Sequence, residues 1–418
     1  MKNFNKIVGA VVIAIAMMSA CSKENEQAPL EIAEDEVIEK KGLLLEGSQE
    51  VPAKNTKACG TLDVSYNKTT KMLTYTITWT DLTGNPVGAH IHGEAPRGIN
   101  AGIKHDFAAL IPKTTSGTFT NSVLVDEVAI KEAGLLAGLY YVNLHTPMNP
   151  GGEIRGQIEF EKAEIVSKKG LLLEGAQEVP AKTTAACGTL DITYNKTNKV
   201  LTYSITWTDL TGAPVGAHIH GEAPRGVNAG IKHDFAALIP KMTSGSFSNW
   251  LIVDEIAIKE KDLLDGLYYI NIHTPLNPGG EIRGQFEFKK PDVISKKGLK
   301  IEGSQEVPAK NTGASGTMNI SYNKTNKVLT YNIAWENLSG NPVGAHIHGE
   351  APPGVNAGIK HDFTALLPKT MSGTFANWVR VDETAIKEAG LLNGLYYVNI
   401  HTPLNPAGEI RGQLILKK

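Results

Sequence analysis

The chain has 418 residues, with 41 basic and 43 acidic side chains, a formal charge of −2, and 41% hydrophobic against 20% charged residues. That near-neutral balance argues against nucleic acid as a partner, because phosphate binding needs a basic patch. With three cysteines in the whole chain, a disulfide-rich scaffold is excluded as well.

The N-terminus opens with Lys2 and Lys6, continues as an apolar run from Ile7 to Met18, and closes on Ser19-Ala20-Cys21. The run is short for a bilayer span. It resembles a bacterial lipoprotein signal peptide, which predicts removal of residues 1–20 and acylation of Cys21, a lipid anchor to the cell envelope. Cleavage would remove two lysines and no acids, taking the formal charge from −2 to −4. Residues 21–40 follow as an acidic tether, with seven acids between Ser22 and Lys40, Pro29 and few apolar positions. Acids placed here also resemble export signals of surface-displayed lipoproteins; a plain solvated linker is the alternative.

From Lys41 the chain repeats itself every 128 residues: Lys41-Gly42-Leu43, Lys169-Gly170-Leu171 and Lys297-Gly298-Leu299 open successive copies. A period this long is a domain that can bury its own core, so we expect modules at 41–163, 168–290 and 296–418. The joins, Glu161–Ser167 and Lys289–Ser295, are short and partly charged, and predict beads with limited freedom. No module holds two cysteines, so none closes an internal disulfide; Cys59 and Cys187 are expected as small buried strand residues.

Within a module the dominant pattern is period two. Leu62, Val64 and Tyr66 alternate with polar residues, and after an Asn-Lys-Thr-Thr-Lys turn so do Leu73, Tyr75, Ile77 and Trp79, the signature of an antiparallel hairpin. Further strands are predicted at Gly88–His92, Thr118–Val125, Leu139–His145 and Glu153–Phe160, and a short helix over Asp126–Ala133 with Asp126 as cap and Gly134 as stop. The reading is all-β: about seven short strands per module in an antiparallel β-sandwich or flattened Greek-key barrel, with one short helix.

All twelve histidines fall into three sets of four with the same spacing: His90, His92, His105 and His145; His218, His220, His233 and His273; His346, His348, His361 and His401. On a strand, residues two apart share a face about 6.6 Å apart, so His90 and His92 can converge on one ion while Ala89 and Ile91 face the core. In Leu139–His145 the apolar set is Tyr140, Val142 and Leu144, leaving Tyr141, Asn143 and His145 outside; in the next strand Ile154 and Ile158 point in and Arg155 points out. His145 and Arg155 are thus expected on one exposed hairpin surface. His105 lies in a loop-like stretch that can carry it over the strands, with Asp106 orienting its imidazole. Asp234 and Asp362 take the same role in the other copies, and Arg283 and Arg411 match Arg155.

Four neutral imidazoles without a thiolate suit one copper or zinc ion per module better than calcium or magnesium. The alternative is that the histidines hydrogen-bond loops to the sheet. Their recurrence is weak support on its own: from Gly88 to Lys113 the second copy differs from the first at one position and the third at four. For Arg155 the choice is between an anion contact and a salt bridge to the neighbouring glutamate. Pro353 stands where Arg97 and Arg225 do, so that arginine is dispensable. Trp250 and Trp378, in place of Ser122, are candidate exposed aromatics for an extracellular protein or glycan; the alternative is that they simply cover a sheet face. There is no nucleophile elbow and no phosphate-cradling loop.

Taken together, Gly47-Ser48-Gln49-Glu50-Val51-Pro52, Ala89-His90-Ile91-His92-Gly93, Tyr141–Thr146 and Asn149-Pro150-Gly151-Gly152-Glu153-Ile154-Arg155-Gly156-Gln157 resemble the CHRD domain, in all three copies. The resemblance implies an immunoglobulin-like barrel with limited similarity to copper–zinc superoxide dismutases. Carried over, that similarity casts His90, His92, His105 and His145 as copper ligands and Arg155 as an anion guide, in a copper-only arrangement since further zinc-site histidines are missing. Two functions follow: a non-enzymatic envelope lipoprotein whose modules bind a ligand or metal, or a copper-dependent, dismutase-like redox enzyme.

Overall fold

Strand-forming alternation occupies most of each repeat, and the computed structural model, which describes residues 36–416, folds each repeat into eight strands. In the first module these are β1 (Val37–Glu46), β2 (Cys59–Asn67), β3 (Met72–Thr80), β4 (Gly88–Gly93), β5 (Ile103–Asp106), β6 (Gly117–Leu124), β7 (Tyr140–Thr146) and β8 (Asn149–Gln157), with one helix, α1 (Glu132–Leu136). They form an antiparallel sheet in the order β5-β4-β7-β8-β1-β2-β3-β6. The second and third modules repeat this order.

Each sheet curls so that its two halves face each other. The hinge is the β8–β1 junction, where the only paired residues are Glu46 and Arg155. Between the halves lies the core: Leu62, Tyr66, Leu73, Tyr75, Ile77 and Trp79 from one, Ala89, Ile91, Val142, Leu144 and Ile154 from the other. Each such side chain is worth about 1.5–3 kcal/mol when fully buried, and the three cores are separate clusters, one per module.

The predicted hairpin is present with Tyr66 opposite Leu73 and Leu62 opposite Ile77. Four expectations are corrected. Strand β1 begins at Val37, so Val37–Lys40 pair with β2 instead of belonging to the tether; residues 1–35, on which the expected signal peptide and the acylation of Cys21 fall, lie outside the described residues. A second unforeseen strand, β5, occupies the stretch read as a loop. The helix starts six residues later than expected: Asp126 Oδ1 accepts from the N–H groups of Val128, Ala129 and Ile130, closing a turn, and Gly134 sits within the helix. Cys59 and Cys187 are exposed at the start of their strands, not buried.

Candidate metal centre

The alternation that sends Ala89 and Ile91 inward sends His90 and His92 to the outer face of β4. Register then sets their neighbours: His90 lies opposite Asn143, His92 opposite Tyr141, and Gly88 opposite His145 on β7. Glycine is needed at position 88, because a Cβ there would come within 2.9 Å of the His90 ring and 3.1 Å of the His145 ring. The result is a triad, His90, His92 and His145, whose ligand nitrogens all lie within 4.8 Å of one another. It recurs as His218, His220 and His273, and as His346, His348 and His401.

Backbone carbonyls fix the tautomers. His145 Nδ1 is 2.9 Å from the Pro150 carbonyl and His92 Nδ1 is 2.8 Å from the Ala101 carbonyl. A carbonyl only accepts, so both rings carry hydrogen on Nδ1 and in the neutral form present Nε2 as the acceptor nitrogen; His145 Nε2 is contacted by Asn143 Oδ1 at 2.9 Å. His145 Nε2 stands 3.1 Å from His90 Nδ1. His92 Nε2 is buried with no protein partner, as are His220 Nε2 and His348 Nε2. Nitrogens bound to one copper or zinc ion sit about 3.3–3.6 Å apart, so the first pair is already near ligand spacing and the third nitrogen lies within 4.8 Å of both.

Burial holds the triad neutral. The His90 imidazole is pushed down to about 4, chiefly by desolvation and then by the His145 ring. His92 and His145 are lowered too, by desolvation first.

His105 is not part of this group. It pairs with Ile91 and therefore shares the inward parity; its Nε2 lies 3.1 Å from Tyr75 Oη and its ring stacks against Phe107. The expected four-histidine surface cluster is thus three plus one, and His233 and His361 repeat the inward placement. Asp106 does reach the triad, since it pairs with His90 and stands 3.7 Å from His90 Nε2, not beside His105 as expected. Asp234 and Asp362 stand at 3.7 Å from His218 and His346.

The largest departure concerns exposure. Arg155 was expected on an open surface, yet it is 1% exposed. A cover loop, residues 94–102, folds across the outer faces of β4, β7 and β8. Arg155 donates to the Ile99 carbonyl at 2.9 Å and to Asn100 Oδ1 at 3.3 Å, and its guanidinium lies 3.3 Å over the Tyr141 ring. Gln157 Nε2 donates to the Ala95 carbonyl at 2.8 Å. Tyr141 in turn stacks on His92, 4.9 Å between centroids and 3° from parallel. Arg155 is therefore neither an exposed anion contact nor a partner of Glu153, whose carboxylate accepts from Thr56, Thr83 and Thr146. Although burial alone would raise it, those hydrogen bonds hold Glu153 below the usual carboxylate range. Arg283 and Arg411 are likewise 1% exposed.

Sequence reasoning missed Glu50, which is 5% exposed. Its carboxyl lies against Gly152, where a Cβ would be 2.4 Å from Oε1, and Oε1 has no hydrogen-bond partner. Desolvation raises it to about 7, with Arg155 and then Asn143 pulling the other way. Glu178 and Glu306 behave the same. Because Asn143 Oδ1 is 2.9 Å from His145 Nε2, Asn143 links this carboxyl to the triad.

Fold and site together define a tandem array of β-sandwich modules, each with three converging imidazoles under a polar cover. The CHRD domain profile matches residues 43–158, 170–286 and 299–414, and the chain belongs to the CHRD domain family. Among characterised proteins it is similar to Chordin of Danio rerio, 30% identical over 159 residues that cover 36% of this chain and 17% of that protein. No solved structure matches it.

Proposed function

We propose that the chain is an envelope lipoprotein, anchored through Cys21, whose CHRD modules each bind one copper or zinc ion through the triad, as a binding protein without redox turnover. The observation that carries this reading is the buried, partnerless Nε2 of His92, His220 and His348: a desolvated lone pair left unsatisfied costs about 1–3 kcal/mol, and a ligand that accepts it offsets that cost. Neutral imidazoles with carbonyl-fixed tautomers are the donor set such metals prefer.

The dismutase-like alternative assigned Arg155 to anion guidance. Its guanidinium is spent on cover-loop carbonyls, which favours the binding reading. The test is superoxide consumption by the copper-loaded full chain. We expect the rate of free protein without metal; catalytic turnover lost in His145→Ala would replace this reading with the enzymatic one. Palmitate incorporation, abolished by Cys21→Ala, tests the anchor.

A further inference from the structure

The three copies differ at the strand position of Ser122, which is Trp250 in the second module and Trp378 in the third. Trp378 is not a free aromatic. It packs across the module junction against the second module's cluster of Ala223, Val227 and Tyr269, against which Ala229 packs as well. Three of these, Ala223, Val227 and Ala229, belong to the loop that covers the second triad. Tyr269 is the ring stacked on His220, at 4.9 Å and 3°, and the Ala229 carbonyl accepts from His220 Nδ1 at 2.9 Å.

Beside the indole, Arg380 clamps the same junction. It donates to Asp265 Oδ2 at 2.7 Å and pairs with Asp262, while Asn326 Nδ2 donates to the Asp265 carbonyl at 2.7 Å. The partners are particular to this junction: the first junction has Ile252 in place of Arg380, and Gly134 and Ala137 in place of the two aspartates. It keeps only the amide latch, Asn198 Nδ2 to the Ala137 carbonyl at 2.7 Å.

The third cover loop has no such support among the described residues. Val355 is 48% exposed where Val227 is 6% exposed. Its arginine is also less engaged: Arg411 donates to Asn356 Oδ1 and the Val355 carbonyl, whereas Arg155 also reaches the Pro96 carbonyl and Gln157 Oε1.

We propose that Trp378 and Arg380 are positioning residues of the second module's histidine site: the third module holds that site's cover loop down, so the triads are graded in opening, the second slowest and the third fastest. In the first cover loop Ile99 is half-buried, between Val227 and Val355, which gives the first triad an intermediate place. If the triads take metal, as proposed above, the same grading orders metal release; that part rests on the binding reading, whereas the loop grading does not.

The test is amide hydrogen exchange on the metal-free full chain, comparing residues 95–101, 223–229 and 351–357. Trp378→Ser is the informative variant, because the first module already carries Ser122 there and its strand tolerates it. We expect exchange in 223–229 to rise by at least about tenfold, toward that of 351–357, with 95–101 unchanged. Trp378→Phe should restore most of the protection. Unchanged exchange in 223–229, or an equal rise in all three loops, would overturn the proposal. A wild-type chain that took up no metal would sink the binding reading while leaving this comparison decisive.

Discussion

The two halves of each sheet carry the same period-two alternation and put it to different uses. In β2 and β3 the polar set is a run of threonines and acids facing solvent, as with Thr78 and Thr118 bonded to each other at 3.2 Å on the exposed face. In β7 and β8 the polar set, Asn143, Glu153, Arg155 and Gln157, is as buried as the apolar set, each 3% exposed or less. The difference is the cover: the 94–102 loop over Arg155 and Gln157, and the threonines Thr56, Thr83 and Thr146 around Glu153. Polar residues under it must find partners, because an unpaired buried group costs more than a hydrogen bond returns, and those that do not, His92 Nε2 and Glu50 Oε1, mark the site.

Arg155→Ala should break the contrast most strongly. It strands the Ile99 carbonyl and Asn100 and is expected to cost about 3 kcal/mol in the first module, read as lost exchange protection in β7 and β8. A loss under about 1 kcal/mol would mean that the loop is held by other contacts.

Glu50→Gln sharpens it through pH. Glu50 titrates at about 7 in the folded chain against 4.5 ordinarily, so folding binds its proton more tightly. That contribution is fully present below pH 4.5 and is lost as pH rises to about 7. The variant should therefore gain on the wild type above pH 7, by on the order of 2 kcal/mol; parallel stability curves across that range would refute the assignment.

The triad runs the other way. With His90 held at about 4 against 6.5, the unfolded chain takes up its proton first, so stability is full above pH 6.5 and declines toward about pH 4. Nuclear magnetic resonance of the imidazole should show His90 neutral at pH 5.5; an ordinary titration midpoint would contradict its desolvation. The smallest effect belongs to the open half: Thr78→Ala should change stability by less than about 0.5 kcal/mol, as measured by urea unfolding.

Much of this was legible in the sequence, for physical reasons. Side-chain parity is local, so the β2–β3 hairpin, the inward Ala89 and Ile91, and the outward His90, His92 and His145 follow from alternation alone. Parity also held the answer for His105 and Cys59, had their strands been recognised: β5 has four residues behind a glycine-bearing loop, and Cys59 shares the outward phase of Thr61 and Asp63. Coverage is another matter. That a loop 55 to 59 residues upstream in sequence roofs Arg155 is a tertiary fact, and an arginine between two outward positions reads as exposed. Glu50 escaped for the same reason, since it comes from the connection after β1 and acquires its character only where Gly152 leaves room for it. The tryptophans were visible as differences between copies, but their junction contacts were not.

The central claim is that each triad is a metal site, and stoichiometry tests it most directly. Copper(II) or zinc(II) titrated into the metal-free full chain, with bound metal counted after gel filtration, should saturate at one ion per module. The variant combining His92→Ala, His220→Ala and His348→Ala should retain none. Absence of uptake by the wild type, or uptake undiminished in the triple variant, would contradict the account.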